Sequence, residues 1–323
     1  AEPELPRPAR DAPSDELLLL THHLRQELTR RGEFITPAWV EEAARDLKSG
    51  ELPGWWLSEK DGAPGIALYS ARNGRVYAHA HLEPGPGGPE RLRRLVCTLV
   101  ASLPSSIRRA DIGLSGLSES AEAEVCQELV GELGGQTVVR RCLERPVGAS
   151  DGAVPFPIPG SRLVPVRSIP LDLLAELDWR GFQGTPDEAL VAESLEEDRR
   201  GLRELLDNRL GRFLDEASFA YVSPDDQLLG CVLVAEQNPR RAIVLDIVVD
   251  PAARRRGVGR FLLRTALRAV RALGFEGMRL WVTETNAPAN GLYGELGFEP
   301  STVARIYRWF PGDRAPAHPQ TDR

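Results

Sequence analysis

The chain has 323 residues, and its 40 basic and 47 acidic side chains give a formal net charge of −7. At roughly 100–200 residues per domain this length predicts about two domains. The acidic balance lacks the positive field of general nucleic-acid binders, so no nucleic-acid partner is expected. No apolar run approaches the length of a membrane span or of a signal-peptide core, which predicts a cytoplasmic protein without a membrane partner. The four cysteines have no paired spacing, so no metal site or redox pair is predicted.

The N-terminal half predicts two helices, an antiparallel meander and then alternating helices and strands. Residues 1–13, which contain four prolines, predict a loose arm, and the domain is expected to begin near Ser14. Leucines at helical spacing predict a first helix before Arg31, and Thr36-Pro37 predicts the cap and first turn of a second helix. The patterns that follow predict strands over 55–58, 65–70 and 75–82, a helix over 90–103, a strand over 110–114, a helix over 121–133 and a strand over 137–143.

The C-terminal half repeats this order of elements after a proline-rich linker. Thr185-Pro186-Asp187-Glu188 has the form of a capping box with a proline in the first turn, which predicts the start of a longer helix. The other predicted elements are a helix over 171–177, strands over 219–222, 228–236 and 242–249, a helix over 257–273, a strand over 278–282, a helix over 287–296 and a strand over 303–310. This repetition indicates an internal duplication. We expect an α/β (α+β) fold of two tandem units, each a mixed, mostly antiparallel sheet flanked by helices, over 14–147 and 163–311 with a linker over 148–162.

An apolar strand, a basic turn and a glycine-rich helix start follow one another in the C-terminal half. The segment reads Leu245-Asp246-Ile247-Val248-Val249-Asp250-Pro251 and continues, after two alanines, with Arg254-Arg255-Arg256-Gly257-Val258-Gly259-Arg260. Amides at a helix N-terminus point toward an anion, glycines allow close approach of the backbone, and arginines add charged donors. The segment therefore predicts a pyrophosphate site. It lacks the Gly-Lys-Ser/Thr of a P-loop and the third glycine of a dinucleotide fingerprint.

Two short motifs in this half carry a family resemblance. The first is Arg254-x-x-Gly257-x-Gly259, and the second is Asn286-x-x-Ala289-x-x-Leu292-Tyr293-x-x-Leu296-Gly297-Phe298. Together they resemble the GNAT N-acetyltransferase superfamily, over residues 163–311. The resemblance implies acetyl-CoA as co-substrate, with its pantetheine arm paired to the strand Ile247, Val248 and Val249. The residues that the resemblance implies for the rest of acetyl-CoA are Arg254, Arg255, Arg256, Gly257, Val258, Gly259, Arg260 and Asn286.

The resemblance also implies catalytic residues. Tyr293 occupies the family's usual position for the acid that protonates the departing thiolate. The superfamily often has a glutamate eight residues before the proline as general base, but that position is Ile243 here. Asp246 on the same strand and Glu284 after the next strand are two candidates for the base, and the sequence leaves the choice between them open.

The N-terminal half lacks the basic turn that the C-terminal half has. Where the other half has its basic turn, this half has Glu83-Pro84-Gly85-Pro86-Gly87-Gly88, without a basic residue. We therefore expect a degenerate GNAT-like domain, in a tandem layout similar to that of mycothiol synthase. The expected activity is direct transfer of an acetyl group to a primary amine of a small molecule or a protein, by a monomer or homodimer. The alternative is a non-catalytic CoA-binding or scaffold protein with the same fold.

Overall fold

The computed structural model describes residues 5–31, 38–58, 62–72, 74–148, 155–192, 194–209 and 211–311. The chain divides into two compact units, Ala1–Arg140 with Val303–Arg323, and Arg141–Thr302. No helix in the described ranges is both long and apolar enough to cross a membrane. The cap predicted at Thr36-Pro37 lies outside the described residues.

The first unit is a mixed sheet with helices against it. Its strands are β1 (Arg7–Pro8), β2 (Gly54–Leu57), β3 (Gly65–Arg72), β4 (Arg75–Leu82) and β5 (Arg109–Ser115), and its helices are α1 (Ser14–Arg30), α2 (Ala38–Ser49), α3 (Gly88–Ser102) and α4 (Glu119–Leu133). Strands β1 to β4 pair antiparallel, and β5 lies parallel to β4. The apolar stripe of α3 predicted by helical spacing is buried, because Leu92, Leu95, Val96 and Leu99 are fully enclosed against the sheet.

The loose arm expected before Ser14 differs from the structure. Arg7 and Pro8 pair with β2, and Ala9 and Ala12 are buried. Lys48 at the end of α2 donates hydrogen bonds from Nζ to the carbonyls of Arg10 and Ala12, at 3.0 and 2.7 Å. The prolines and mixed charge of this segment gave no indication that Ala9 and Ala12 pack in one apolar cluster with α1 and α2.

The second unit repeats the same architecture. Its strands are β7 (Arg162–Pro165), β8 (Phe219–Val222), β9 (Leu228–Asn238), β10 (Arg241–Val249) and β11 (Gly277–Thr283), and its helices are α5 (Leu171–Phe182), α6 (Glu188–Val191), α7 (Leu195–Leu206), α8 (Val258–Ala272) and α9 (Ala287–Glu295). Strands β7 to β10 pair antiparallel, and β11 lies parallel to β10. This order confirms the predicted α/β class and the repetition of one unit.

The boundary between the units falls inside two strands, β6 (Gln136–Pro146) and β12 (Glu299–Trp309). Residues 306–309 of β12 pair with β5 of the first unit, and residues 141–146 of β6 belong to the second unit. The sequence-based boundaries at 147 and 163 place the last strand with the C-terminal domain. Sequence pattern alone does not indicate which sheet the last strand joins. The pairing of β12 with β5 could therefore not be predicted.

Two apolar layers enclose the sheet of the second unit. Helix α8 buries Val258, Phe261, Leu262, Ala266 and Val270 on one face of the sheet. On the other face, the cluster under α5 and α7 includes Leu174, Leu177, Leu202, Cys231 and Val248. Along β10, Ala242 and Val244 belong to the layer with α8, and Val248 belongs to the layer with α5 and α7.

The predicted capping box differs from the structure. The hydroxyl of Thr185 donates to the carbonyl of Phe182 at 2.7 Å, and the helix that follows, α6, has four residues before the chain continues to α7. The carboxylate of Glu188 accepts a hydrogen bond from the amide of Gly184 at 2.8 Å. Asp187, the other acidic residue of the motif, is buried and bonds to residues far along the chain.

Candidate functional site

Strands β10 and β11 separate after three paired residues. Arg241, Ala242 and Ile243 pair with β11, and within the described residues this ladder goes no further. A bulge interrupts the pairing of β10 with β9 between Val244 and Asp246. From the bulge to Val249, β10 stays paired with β9 while its other edge has left β11. An edge of this kind offers backbone N–H and C=O groups to an extended ligand.

The first unit has no such separation at the equivalent place. Strands β4 and β5 remain paired from Arg75 opposite Arg109 to His81 opposite Ser115, and β3 and β4 pair without a register shift. Gly116 follows directly, and a Cβ there would lie 1.7 Å from the carbonyl oxygen of Leu82. The two strands are therefore held together beyond their ends, and the first unit lacks the open edge found on β10.

Helix α8 begins beside the open edge of β10. Gly257 adopts a left-handed conformation, with φ of 86°, immediately before the first residue of the helix, Val258. The amides of Val258, Gly259 and Arg260 form the first turn, where an α-helix supplies no acceptors of its own. A Cβ on Gly259 would lie 3.3 Å from a methyl group of Leu292, so α8 approaches α9 closely at this point. This turn can receive an anion such as a phosphate.

The arginines at this turn have different neighbours. Arg254 donates hydrogen bonds to the carbonyls of Gly181, at the end of α5, and Val249, at the end of β10. Arg255 and Arg256 are exposed, and Arg260 forms an ion pair with Glu295. Arg254 therefore holds the turn against α5, and the two arginines after it present their charge to solvent at the helix start.

Sequence reasoning missed the part of α5 that supports this turn. Arg180 donates to the carboxylate of Asp250 at 2.7 Å, and Asp250 in turn accepts the amide of Ala252 at 2.8 Å. Gly181 packs so closely that a Cβ would lie 2.0 Å from a methyl group of Val248. Because these contacts join segments about seventy residues apart, no local motif signals them.

Asn286, the first residue of the second motif, lies at the start of α9. Asn286 caps the helix by accepting the amide of Ala289 at 3.3 Å, and its side-chain amide donates to Asp187 at 2.6 Å. Asp187 also accepts hydrogen bonds from the hydroxyl and amide of Thr283. Asn286 thus connects α9 to the segment before α6, and both ends of its side chain are occupied by protein.

The three predicted catalytic residues lie in three environments. Tyr293 is buried in α9, with its ring edge-on to Phe298 at a centroid distance of 6.1 Å, and belongs to the same apolar cluster as Val258. Glu284 is exposed at the end of β11 and forms an ion pair with Arg141. Asp246 follows the bulge of β10 and has one oxygen fully buried.

Asp246 stands in a cluster of carboxyl groups that sequence reasoning did not find. Its carboxyl is within hydrogen-bonding range of Asp178 on α5, and Asp178 is also within range of Asp198 on α7. Burial and the neighbouring carboxylates raise the pKa of Asp178 well above its ordinary value. Burial is also the largest cause that raises the pKa of Asp198, to about 6, and that raises the pKa of Asp246.

Comparison with known proteins agrees with this arrangement. Residues 173–298 match the model of the acetyltransferase (GNAT) family. The chain is 36% identical over 93 residues to the streptothricin acetyltransferase of Streptomyces lavendulae, an alignment that covers 28% of this chain and 49% of that protein. It is 39% identical over 66 residues to the [ribosomal protein bS18]-alanine N-acetyltransferase of Salmonella typhimurium, covering 20% of this chain and 45% of that protein. The chain thus spans less than half the length of these two relatives.

Longer similarities extend over both units. The mycothiol acetyltransferase of Thermomonospora curvata is 25% identical over 256 residues, which are 75% of this chain and 82% of that protein. A GCN5-related N-acetyltransferase from Sphaerobacter thermophilus aligns with a TM-score of 0.55 and 15% identity over 96% of both chains. A tandem GNAT protein from the clavulanic acid biosynthesis pathway aligns with a TM-score of 0.55 and 16% identity over 96% of this chain and 98% of that one. At these identities the two structures show the fold alone. These findings together support a GNAT-superfamily fold in a tandem arrangement.

Proposed function

We propose that this GNAT-superfamily chain transfers an acetyl group from acetyl-CoA to a primary amine, and that its second unit binds both substrates. The observation that carries the proposal is the open edge of β10 beside the first turn of α8, since the two features together fit a ligand with an extended amide arm and a pyrophosphate. The family match over 173–298 falls on the same unit.

The open edge suits the pantetheine arm of acetyl-CoA. Ile247, Val248 and Val249 would pair with the amides of the arm as a strand would. The pyrophosphate would accept hydrogen bonds from the amides of the first turn of α8, with Arg255 and Arg256 adding charge. Arg254 would act by holding the turn in place, since its guanidinium already bonds to two carbonyls of the protein. Asn286 would likewise act by fixing α9.

The chemistry is direct attack of a neutral amine on the thioester. As the bond from nitrogen to the acetyl carbon forms and the bond from carbon to sulfur breaks, the nitrogen loses a proton and the sulfur gains one. Tyr293 is the proposed donor of the proton to sulfur, because a phenol is a suitable acid toward a thiolate. The first unit would not turn over acetyl-CoA, because β4 and β5 stay paired and Arg91, the first arginine of its α3, is buried with donors on the carbonyls of Ser58 and Ala63.

The acceptor can be sought with a panel of amines. The relatives named above act on streptothricin and on the alanine of a ribosomal protein, so the panel should hold streptothricin, peptides with an N-terminal alanine, lysine peptides and small diamines. Release of the CoA thiol with any of them, and transfer of labelled acetyl to that amine, is the expected result. Tight binding of acetyl-CoA without turnover of any amine would favour the alternative of a non-catalytic CoA-binding protein.

A further inference from the structure

The acidic cluster behind β10 lies where the open edge begins. Asp246 follows the bulge, and Asp178 and Asp198 approach it from α5 and α7, the two helices that cover this face of the sheet. Asp178 and Asp198 are 3% and 4% exposed. The cluster therefore runs from the opening in the sheet into the protein interior.

The protein supplies too few hydrogen-bond donors to the three carboxyl groups. Asp178, Asp198 and Asp246 each keep one buried oxygen that receives no hydrogen bond from any N–H or O–H group of the described residues. Buried polar oxygens are rarely left in this state, and a proton held between two carboxyl groups would satisfy two of them at once. The cluster can therefore hold a proton between two of its carboxyl groups.

The surroundings of the cluster are also acidic. The charges that act most strongly on its members, besides their own, come from Glu197 on α7 and from Asp187 before α6. Cys231 on β9 is near enough for the charges of all three carboxyls to act on it, and burial, the largest cause, raises the pKa of its thiol well above the ordinary value. The amide of Ile247 donates a hydrogen bond to Asp246. Full ionisation of the cluster would bring like charges together in a buried site, so proton binding is favoured.

Resting on the proposed acetyl transfer, we propose that Asp246 accepts the proton of the acceptor amine and that Asp178 and Asp198, hydrogen-bonded behind it, receive this proton and set the pH at which it is accepted. Asp246 is the catalytic residue of the three, and the other two are positioning residues. Glu284 is a weaker candidate because it is exposed and already paired with a cation, Arg141.

The proton balance of the step is complete. The amine gives one proton to the Asp246 carboxylate as its nitrogen bonds to the acetyl carbon, and Tyr293 gives one to the departing sulfur. The proton on Asp246 is then shared along Asp178 and Asp198 and leaves to water, while Tyr293 regains its proton from water. The products are the acetylated amine and CoA with a free thiol, and no further reactant is needed.

The test is the pH profile of kcat/KM for the fastest amine of the panel. Asp198→Asn removes one acidic neighbour, so the acid limb should move to lower pH by about one unit. Asp178→Ala removes the hydrogen bond that lowers the pKa of Asp246, so it should move the acid limb to higher pH. Asp246→Asn should lower kcat by about 10²–10⁴-fold while acetyl-CoA binding, measured by calorimetry, stays unchanged. Asp172→Asn is the matched control on α5, because this aspartate is exposed and paired with Arg199, and its profile should coincide with that of the parent.

Two results would overturn the inference without touching the proposed function. One is turnover with an acid limb that stays in place in both the Asp198 and Asp178 variants. The other is a ¹³C NMR titration of aspartate carboxyls in which these three groups titrate independently near their ordinary pKa values. If no amine is acetylated, the titration still tests whether the three carboxyls share a proton: a proton retained by the cluster at neutral pH, and released at lower pH in Asp198→Asn, supports this part of the inference, and independent titration overturns it.

Discussion

Replacing Asp198 with asparagine is expected to stabilise the second unit at alkaline pH and to leave it nearly unchanged near pH 4. Burial raises the pKa of Asp198 from its ordinary 3.8 to about 6 in the folded chain. A carboxyl with a raised pKa in the folded state contributes its stability below the unfolded pKa, and that contribution is lost as the pH rises through the folded value. The parent should therefore lose stability between pH 4 and 7, and the asparagine variant, which carries no charge to bury, should lose less.

The size of the effect follows from the shift. At about 1.4 kcal/mol per pH unit, the difference between 3.8 and about 6 corresponds to about 3 kcal/mol at pH 8. For a unit such as Arg141–Thr302, this is a rise in Tm of roughly 6–12 °C. Thermal unfolding of parent and variant at pH 4, 6 and 8 measures it, with Asp172→Asn as control. Parallel curves of Tm against pH for parent and Asp198→Asn would refute the reasoning.

Three further substitutions test the site around α8. Arg254→Glu removes the hydrogen bonds to the carbonyls of Gly181 and Val249. It should raise the Kd of acetyl-CoA, measured by calorimetry, by roughly 10-fold to 150-fold. An unchanged Kd would contradict this prediction. Tyr293→Phe keeps the ring that packs against Phe298 and should lower kcat and kcat/KM together, by about 10²–10⁴-fold. The Kd of acetyl-CoA should be unaltered. A variant that turns over at the parent rate would remove Tyr293 from the mechanism. Gly257→Ala forces a left-handed conformation on an L-residue and should lower the stability of the second unit by about 1–2 kcal/mol, whereas an unchanged Tm would argue against that conformation.

Much of the fold could be predicted from local patterns. The stripe of α3 and the glycine at the start of α8 are both local features, and both are where spacing and turn chemistry indicate. The segment from Asp246 to Arg260 could be predicted as a candidate site because its residues are adjacent in the chain. The sequence also indicated that the first unit lacks a basic turn.

Features that depend on distant segments could not be predicted. The separation of β10 from β11 follows from a ladder of three paired residues and a bulge on the other side of β10, and no residue type in the sequence indicates either feature. Asp178 and Asp198 appear in the sequence as ordinary polar positions of amphipathic helices. Only the packing of α5 and α7 on the sheet brings them to Asp246, some fifty residues or more further along the chain.

The central claim is that acetyl-CoA binds the second unit, along the open edge of β10 and at the first turn of α8. Hydrogen–deuterium exchange of the full chain, with and without acetyl-CoA, tests it most directly. The account predicts slower exchange in peptides covering Asp246–Val249 and Gly257–Arg260, with no change across β4 and the start of α3. Protection at β4 and α3, or none at β10 and α8, would contradict it.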